Sequence, residues 1–509
     1  MNAPSSALLL HSLTDVKDPL ISSQGCSGIS ISTNWVLTHG AALSSIADKS
    51  YAISNFVTSV IPRELTEVPK ELRSELKFFV YRDLASGDDL RSIKEDRGEI
   101  VAAWRCSLLK KTFDEFFETW SFPKSSKLDG SLRSLFLLVR VYDSKSNVET
   151  SIEQTLSHLL DQAPRNLVRG LSVEIESTPF GNPAFIGSIA RGVISNIVGE
   201  EGCVIMTDAY AFPGSEGGPV YLTPSNYLFS ERRNISGMVV APLSWCRGER
   251  VDYTFFANLT SCVENVLQKK SPLYPSIKEC EDTEAAAALD KGVVLVRCGI
   301  NWGTGILVHK PTGTFLTCSH VVAEAPEREI SIVMKPNKLN SRVEAKLLYK
   351  TSKNQLYDVA VLRVNPQDVD FSLRPVQFSR APILKGEPVV SIGFPFSSSI
   401  RPTVSAGVVS KSMNCVLLTT CCVQSGTSGG PIVSRTTGDV LGMVVCNVLS
   451  SDGTVLYPRM NLAVPAATLD GPLREYLRTD NTEVLQAFTC DDTEVHKIWN
   501  FNPFLPAKL

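Results

Sequence analysis

The stretch SGTSGGPIV, residues 425–433, places one serine among glycines and follows them with a proline. Glycine reaches backbone conformations that side chains forbid, so this spacing predicts a tight turn whose N–H groups can converge on one point. Pro431 fixes the backbone at the exit, and the apolar residues after it predict a strand. We therefore expect Ser428 to stand on a sharp turn that leads into a β-strand.

A second stretch, PGSEGGPVY at residues 213–221, keeps these glycines and the proline but has Glu216 where the first has Ser428. Other pairs of segments match in the same order: GCSGISISTNWVLTHGAAL (25–43) with GTGILVHKPTGTFLTCSHVV (303–322), and SIARGVISNI (188–197) with TVSAGVVSKS (403–412). Matches in one order predict an internal duplication.

The chain between these motifs consists of short β-branched runs, such as DVAVLRV and PVVSIGF, broken by turn residues. Such runs predict antiparallel strands, which closed barrels protect from exposed edges. We expect a mainly β protein of two tandem double β-barrel modules, the first degenerate, with helices in insertions and linkers. The expected parts are a first module at 1–270 with a charged insertion at about 44–130, a linker at 271–290, a second module at 291–470 and a C-terminal tail at 471–509.

The net charge, the apolar runs and the cysteine content argue against several classes of protein. A net charge of -3 and a pI near 6.2 offer no basic surface for nucleic acid. No apolar run is long enough for a membrane span, and the N-terminus lacks the features of a signal peptide. The thirteen cysteines show no zinc-type CxxC pairing, so we expect reduced thiols, no metal site and no cofactor.

The second module contains the residue types that acyl transfer requires. A serine nucleophile needs a base, a carboxylate to orient the base and N–H donors for the oxyanion. His320 in LTCSHVV, Asp358 in YDVAVLRV and Ser428 follow in the chymotrypsin-type order. The backbone N–H groups of Gly426 and Ser428 would bind the oxyanion. The α/β-hydrolase elbow is the competing interpretation, but it needs a histidine and a helix after the serine, and only His496 follows.

The first module lacks this set of residues. Alignment of the repeats puts Ala41 in the place of His320 and Leu135 in the place of Asp358, while Glu216 takes the place of the serine. This module cannot use the same mechanism. We expect the Glu216 carboxylate to lie over convergent N–H groups, where it would fill the oxyanion position.

The motifs GTGILV, LTCSHVV, YDVAVLRV, GTSGGPIV and MNLAVP resemble the protease domain of trypsin-like enzymes of the HtrA/Deg type. The resemblance covers residues 295–470 well and 20–270 loosely, and it implies a trypsin-like fold in both modules. The doubled architecture resembles trypsin-domain proteases of peroxisomes. The last three residues, Ala507, Lys508 and Leu509, are a variant of the Ser-Lys-Leu peroxisomal address.

The resemblance implies a peroxisomal serine endopeptidase that removes leader peptides from imported matrix enzymes, or otherwise processes them, including enzymes of fatty-acid β-oxidation. It also implies self-cleavage, self-association, and partners that comprise peroxisomal protein substrates and an import receptor that reads the terminal tripeptide. In this fold the residue six before the serine floors the specificity pocket. Here it is Cys422, with Asn447 and Val448 on the wall, so we expect small or neutral side chains, cysteine included, at the cleaved position. Cys106, in a connection that we expect to be exposed, is the predicted site of self-cleavage.

Two alternatives remain open from the sequence. The chain could be a catalytically inactive, protease-like binding scaffold in the peroxisome. It could also be a protease whose first module docks clients or partner subunits, which is compatible with activity in the second. A reactive Ser428 hydroxyl would exclude the inactive scaffold, and it is compatible both with an active endopeptidase and with a protease whose first module docks clients.

Overall fold

The structure, a computed structural model, is mainly β and divides into two compact units, Met1–Lys278 and Glu279–Leu509. It describes residues 4–11, 25–83, 93–122, 126–142, 151–164, 167–223, 234–246, 249–267, 290–325, 327–334, 342–353, 355–396, 401–449 and 456–499. The predicted double β-barrel fold is confirmed, because each unit contains two barrels of antiparallel strands.

The first barrel of the first unit is a ring of six strands with a short seventh strand on its edge. The strands are β1 (Ser5–His11), β2 (Cys26–Ser30), β3 (Trp35–His39), β4 (Thr66–Glu67), β5 (Lys77–Asp83), β6 (Ile93–Arg105) and, after β7 (Trp120–Ser121), β8 (Leu135–Tyr142). Their order is β6-β5-β1-β2-β3-β8; β8 pairs back onto β6, and β4 pairs with β6. The ring leaves no open edge between β6 and β8.

The second barrel of this unit is closed by six strands in the order β10-β11-β16-β13-β12-β9. These are β9 (Ser172–Ser177), β10 (Ser188–Val198), β11 (Val204–Thr207), β12 (Pro219–Leu222), β13 (Asn234–Ala241) and, after β14 (Ser244–Cys246) and β15 (Glu249–Val251), β16 (Thr254–Asn258). The strands β14 and β15 form a separate small sheet with β7.

The second unit repeats the arrangement with two closed barrels of six strands each. The first has the order β17-β18-β19-β22-β21-β20 and the second β23-β24-β25-β28-β27-β26. The strands are β17 (Val293–Cys298), β18 (Asn301–His309), β19 (Thr314–Thr317), β20 (Ile330–Val333), β21 (Arg342–Lys350), β22 (Ala360–Arg363), β23 (Pro388–Gly393), β24 (Thr403–Met413), β25 (Val416–Thr419), β26 (Pro431–Ser434), β27 (Val440–Leu449) and β28 (Leu456–Pro465).

Helices are confined to the connections and the ends of the units. The α-helices are Ser44–Ala47, Tyr51–Ser59, Lys70–Arg73, Ser107–Phe116, Asp129–Leu132, Ile152–Gln162, Leu259–Leu267, Ala466–Thr479 and Thr493–Trp499. Within the described residues no helix is both long and apolar enough to cross a membrane.

The strand ladders confirm the alignment of the two repeats. In the first unit Thr38 of β3 pairs with Leu137 of β8, and in the second unit Thr317 of β19 pairs with Ala360 of β22. Leu135 therefore occupies the backbone position that Asp358 occupies in the second unit.

The charged region at about 44–130 is not simply an insertion. It contains the whole of β5 and β6, which are strands of the first barrel. Along β5 every second residue is buried: Phe78, Val80 and Arg82 are buried, whereas the residues between them are half-buried. Because apolar residues also occupy the half-buried positions and one buried residue is charged, the sequence conceals the period of two that identifies a strand.

The predicted C-terminal tail is folded as far as Trp499. The helix Ala466–Thr479 buries Leu473 and Tyr476 against the core of the second unit, and Phe488 lies in the same cluster. The indole N–H of Trp499 donates to the carbonyl of Cys415 at 2.9 Å. This segment completes the core of the second unit.

Candidate active site

The ladder between β19 and β22 brings His320 and Asp358 together. His320 begins a short 3-10 helix, His320–Val322, just after β19, and Asp358 lies two residues before β22. The imidazole Nδ1 lies 2.5 Å from Oδ2 of Asp358, and the backbone N–H of His320 donates to Oδ1 at 3.0 Å. An ionised carboxylate only accepts hydrogen bonds, so Nδ1 carries the proton and Nε2 is the ring nitrogen that can accept one.

These two groups differ in their exposure. The side chain of Asp358 is 1% exposed and that of His320 is 20% exposed. Burial makes an unpaired carboxylate costly, so both oxygens bind N–H groups of the same residue. The imidazole is thereby fixed in one orientation while part of its ring remains accessible.

The loop that carries Ser428 has the tight turn predicted from its glycines. Gly426 has φ +96° and Gly429 has φ +85°, in the left-handed region where a side chain is strained. The N–H of Gly430 donates to the carbonyl of Thr427 at 2.9 Å and closes the turn. β26 begins immediately after it at Pro431.

The serine loop packs against the segment that leads to His320. The N–H of Gly429 and the thiol of Cys318 both donate to the carbonyl of Val444, at 2.9 and 3.2 Å. A Cβ on Gly429 would lie 3.1 Å from the backbone N of Cys318, so the two segments are in contact. The hydroxyl of Ser428 donates to the carbonyl of Val445 at 3.1 Å and is buried.

Thr304, on β18, is a functional position that sequence analysis missed. Its buried hydroxyl donates to the carbonyl of Gly426 at 2.8 Å and accepts from the N–H of Phe394 at 2.9 Å. Its own N–H donates to the carbonyl of Ser428 at 2.8 Å, and its carbonyl accepts from the hydroxyl of Thr317 at 2.7 Å. One residue of the first barrel thus fixes both sides of the serine loop. The only signal was a small hydroxyl residue, Ser27, at the matching position of the first repeat.

The first unit reproduces the hydroxyl bonds of this network with Ser27 in place of Thr304, although the N–H of Ser27 donates to the carbonyl of Gly214 at 3.0 Å and not to that of Glu216. The hydroxyl of Ser27 donates to the carbonyl of Gly214 at 2.7 Å and accepts from the N–H of Thr178 at 2.9 Å. The carbonyl of Ser27 accepts from the hydroxyl of Thr38 at 2.6 Å. Gly214 and Gly217 have φ +91° and +86°, so the loop has the same backbone shape as its counterpart.

Glu216 lies as the sequence predicts. Its Oε2 accepts a hydrogen bond from the N–H of Gly214 at 2.7 Å, and its own backbone N–H also interacts with the carboxylate. Burial raises the pKa of Glu216, while these two N–H groups lower it. The carboxylate therefore fills the concave N–H pocket that a turn of this shape creates.

The other two positions of the first unit are apolar. Ala41 follows Gly40 in a short 3-10 helix, and Leu135 is fully buried beside Gly40. His39 lies two residues before Ala41 in the chain, but it faces elsewhere: its Nδ1 accepts from the N–H of Ala41 at 3.3 Å and its Nε2 donates to the carbonyl of Arg133 at 2.8 Å. Burial lowers the pKa of His39 to about 4, so it stays neutral at neutral pH.

The predicted pocket residues are buried behind the serine loop. The backbone N–H of Cys422 donates to the hydroxyl of Ser405 at 2.7 Å. The side-chain amide of Asn447 donates to the carbonyl of Val423 at 2.8 Å, which places it beside Cys422. Val448 is 8% exposed. Their role as a specificity pocket stays a prediction.

The predicted exposure of Cys106 is wrong. Cys106 is fully buried, its N–H donates to the carbonyl of Ser134 at 3.0 Å, and it directly precedes the helix Ser107–Phe116. A protease needs an extended, accessible strand, so this position argues against cleavage there in the folded protein. The terminal tripeptide, residues 507–509, lies outside the described residues.

Comparison with known proteins finds a peptidase family that matches part of the second unit. Residues 303–443 match the trypsin-like peptidase domain, which supports a serine peptidase. A solved structure, the serine endoprotease from Yersinia pestis, is 25% identical with a TM-score of 0.32; the match covers 39% of this chain and 67% of that one.

Two curated relatives match about three quarters of the chain. The "Peroxisomal leader peptide-processing protease" of Homo sapiens is 28% identical over 432 residues, which are 76% of this chain and 71% of the relative. The protein of the same name from Mus musculus is 26% identical over 447 residues, 79% of this chain and 74% of the relative.

We predict that Thr304→Val destabilises the second unit by about 2–4 kcal/mol, because it leaves the Gly426 carbonyl and the Phe394 N–H buried without their partner. Hydrogen exchange resolved by mass spectrometry reports the change separately for each unit. Ser27→Ala is the matched control and should destabilise only the first unit. If the amides of the second unit exchange equally slowly in Thr304→Val and in the wild type, the role assigned to this hydroxyl is contradicted.

We predict that His39 makes the first unit less stable in acid. The unfolded chain takes up a proton near pH 6.5, whereas folded His39 does so only near pH 4. Its contribution is therefore complete above pH 6.5 and declines as the pH falls to about 4, by about 3 kcal/mol in total.

Denaturation of the first unit between pH 7 and pH 4 measures this effect. The slope of the free energy of unfolding against pH should be smaller in His39→Gln than in the wild type. His158→Gln, on the helix Ile152–Gln162, should have the same slope as the wild type. The comparison between variants is needed because the raised pKa of Glu216 acts in the opposite direction. An unchanged slope in His39→Gln would show that another group causes the dependence.

Proposed function

We propose that the second unit is an active serine endopeptidase with Ser428 as nucleophile, His320 as general base and Asp358 as the residue that orients the base. The observation that supports it most is the pair of hydrogen bonds, 2.5 and 3.0 Å long, by which Asp358 holds both the ring and the backbone of His320. This arrangement fixes the tautomer in which Nε2 can accept a proton.

The reaction requires rotation of one side chain. The hydroxyl of Ser428 donates to the carbonyl of Val445, and rotation about its Cα–Cβ bond would redirect it towards Nε2 of His320. As Oγ bonds to the substrate carbonyl carbon, its proton passes to Nε2. That proton then passes to the leaving amine as the peptide C–N bond breaks, and water hydrolyses the acyl-enzyme by the same route.

The first unit supports the assignment of the oxyanion site. There a carboxylate oxygen of Glu216 accepts from the N–H of Gly214 and interacts with the N–H of Glu216 itself. The loop of the second unit has the same pattern of left-handed glycines. We infer that the N–H groups of Gly426 and Ser428 bind the negatively charged oxygen of the tetrahedral intermediate.

The pocket proposed for the residue before the cleaved bond contains Cys422, Asn447 and Val448. Cysteine and asparagine carry no charge to pair with lysine or arginine. Small or neutral side chains, cysteine included, should therefore be preferred.

The names of the relatives suggest which proteins the peptidase would cleave. We propose that the protein acts in the peroxisome on imported proteins, where it removes leader peptides or processes matrix enzymes such as those of fatty-acid β-oxidation. The tripeptide at residues 507–509 would be read by an import receptor. Self-cleavage and self-association belong to the same proposal, but the burial of Cys106 disfavours that residue as the cleavage site.

Labelling with a fluorophosphonate tests the chemistry. Wild type should be labelled, Ser428→Ala should not, and Asp358→Asn should be labelled about 10³–10⁴-fold more slowly because the histidine tautomer is no longer fixed. The control Ser410→Ala removes an exposed hydroxyl of β24 and should react as wild type does. A wild-type protein that resists labelling would favour the inactive scaffold.

Sequencing the N-termini of cleavage products tests which proteins are cleaved and after which residues. Peroxisomal matrix proteins incubated with the wild type should acquire new N-termini that are absent after incubation with Ser428→Ala. The residues before the new termini should be small or neutral. Cleavage after lysine or arginine would contradict the proposed pocket, and intact leader peptides would contradict the proposed clients.

A further inference from the structure

The candidate active site contains a third group that could bind a metal ion. The ligand atoms of Cys318, His320 and Asp358 lie within 4.8 Å of one another. Cys318 carries a reduced thiol that is fully buried, and it comes two residues before the histidine. The sequence offered no sign of this cluster, because metal motifs are recognised by regular spacing and Asp358 is far from Cys318 in the chain.

The chemistry of these donors selects zinc. A thiolate and an imidazole favour Zn²⁺ over Ca²⁺ or Mg²⁺, which prefer oxygen ligands. Tetrahedral zinc with a sulfur and a nitrogen ligand spaces its donors roughly 3.3–3.6 Å apart. Nδ1 of His320 and Oδ2 of Asp358 are 2.5 Å apart, and the sulfur of Cys318 lies within 4.8 Å of a ring nitrogen and a carboxylate oxygen, so shifts of about 1 Å bring the donors to this spacing.

Part of the site is accessible. The side chain of His320 is 20% exposed, whereas Asp358 is 1% exposed. A zinc ion could therefore approach from the side of the imidazole, and its fourth position would remain for water. The thiol of Cys318 would exchange its hydrogen bond to the carbonyl of Val444 for a bond to the metal.

We propose that Cys318, His320 and Asp358 form an inhibitory Zn²⁺ site within the active site. Binding would release the thiol proton of Cys318 to solvent. The proton on Nδ1 of His320 would move to Nε2 as the metal takes its place. With Nε2 protonated, the imidazole cannot accept the proton of Ser428. The inhibitory effect rests on the proposed function, but binding of the metal does not.

Titration of the full-length protein with Co²⁺ tests metal binding without a measurement of peptidase activity. In the Ser428→Ala background, Co²⁺ should produce a thiolate-to-metal charge-transfer band and be displaced by Zn²⁺. Cys318→Ser should reduce the affinity at least about 100-fold, since even loss of an outer partner of a ligand costs 10–100-fold. The control Cys298→Ser removes another buried thiol of the same barrel, one that donates to the carbonyl of Arg328, and should leave the band unchanged.

The outcomes separate this proposal from the proposed function. A band of full intensity in Cys318→Ser would overturn the metal site, and so would the absence of a band in the parent protein. If Cys318→Ser does not fold, His320→Gln in the same titration decides, because it removes a second ligand.

Fluorophosphonate labelling of the Ser428 hydroxyl then tests whether bound zinc blocks its reaction. Zn²⁺ should protect the wild type from the fluorophosphonate and leave Cys318→Ser unprotected; equal protection of both would overturn the inhibitory role. Failure of metal-free wild type to react would refute the peptidase assignment, while the cobalt titration would still decide the metal site.

Discussion

A single buried hydroxyl on the first barrel of each unit determines the shape of the loop on its second barrel. In the second unit this is Thr304, which binds one carbonyl of the serine loop and one N–H of the strand end at Phe394. In the first unit Ser27 makes the equivalent bonds. A buried carbonyl or N–H without a partner is costly, so the loop and the barrel are held in one arrangement. The geometry of the candidate active site follows, because His320 is on the first barrel and Ser428 on the second.

The sequence predicted most of this architecture because glycine and strand patterns are local signals. Left-handed glycines at Gly426 and Gly429 depend only on backbone conformation, and the similar runs LLVRV (137–141) and AVLRV (360–364) align β8 with β22. The alignment of Leu135 with Asp358 could therefore be made before any coordinates. Side-chain partners across barrels are not local, which is why Thr304 was missed.

The failures of prediction have a common cause. β5 and β6 looked like part of an insertion because the region around them is rich in charge, and Cys106 looked exposed because it lies in the same region. In both cases the burial is decided by which face of an element meets the barrel, not by average composition. The orientation of the Ser428 hydroxyl is likewise a matter of one rotatable bond, on which sequence carries no information.

The fully buried position of Leu135 also limits what single substitutions could achieve in the first unit. Giving this unit the three residues proposed for catalysis in the second would require an aspartate there, a histidine at Ala41 and a serine at Glu216. An aspartate introduced first would be a buried carboxylate with no imidazole beside it, and such a group costs several kcal/mol. A histidine introduced first would lack the group that orients it. No single substitution therefore gives the first unit the chemistry proposed for the second, and the step that supplies the aspartate lowers the stability of the barrel.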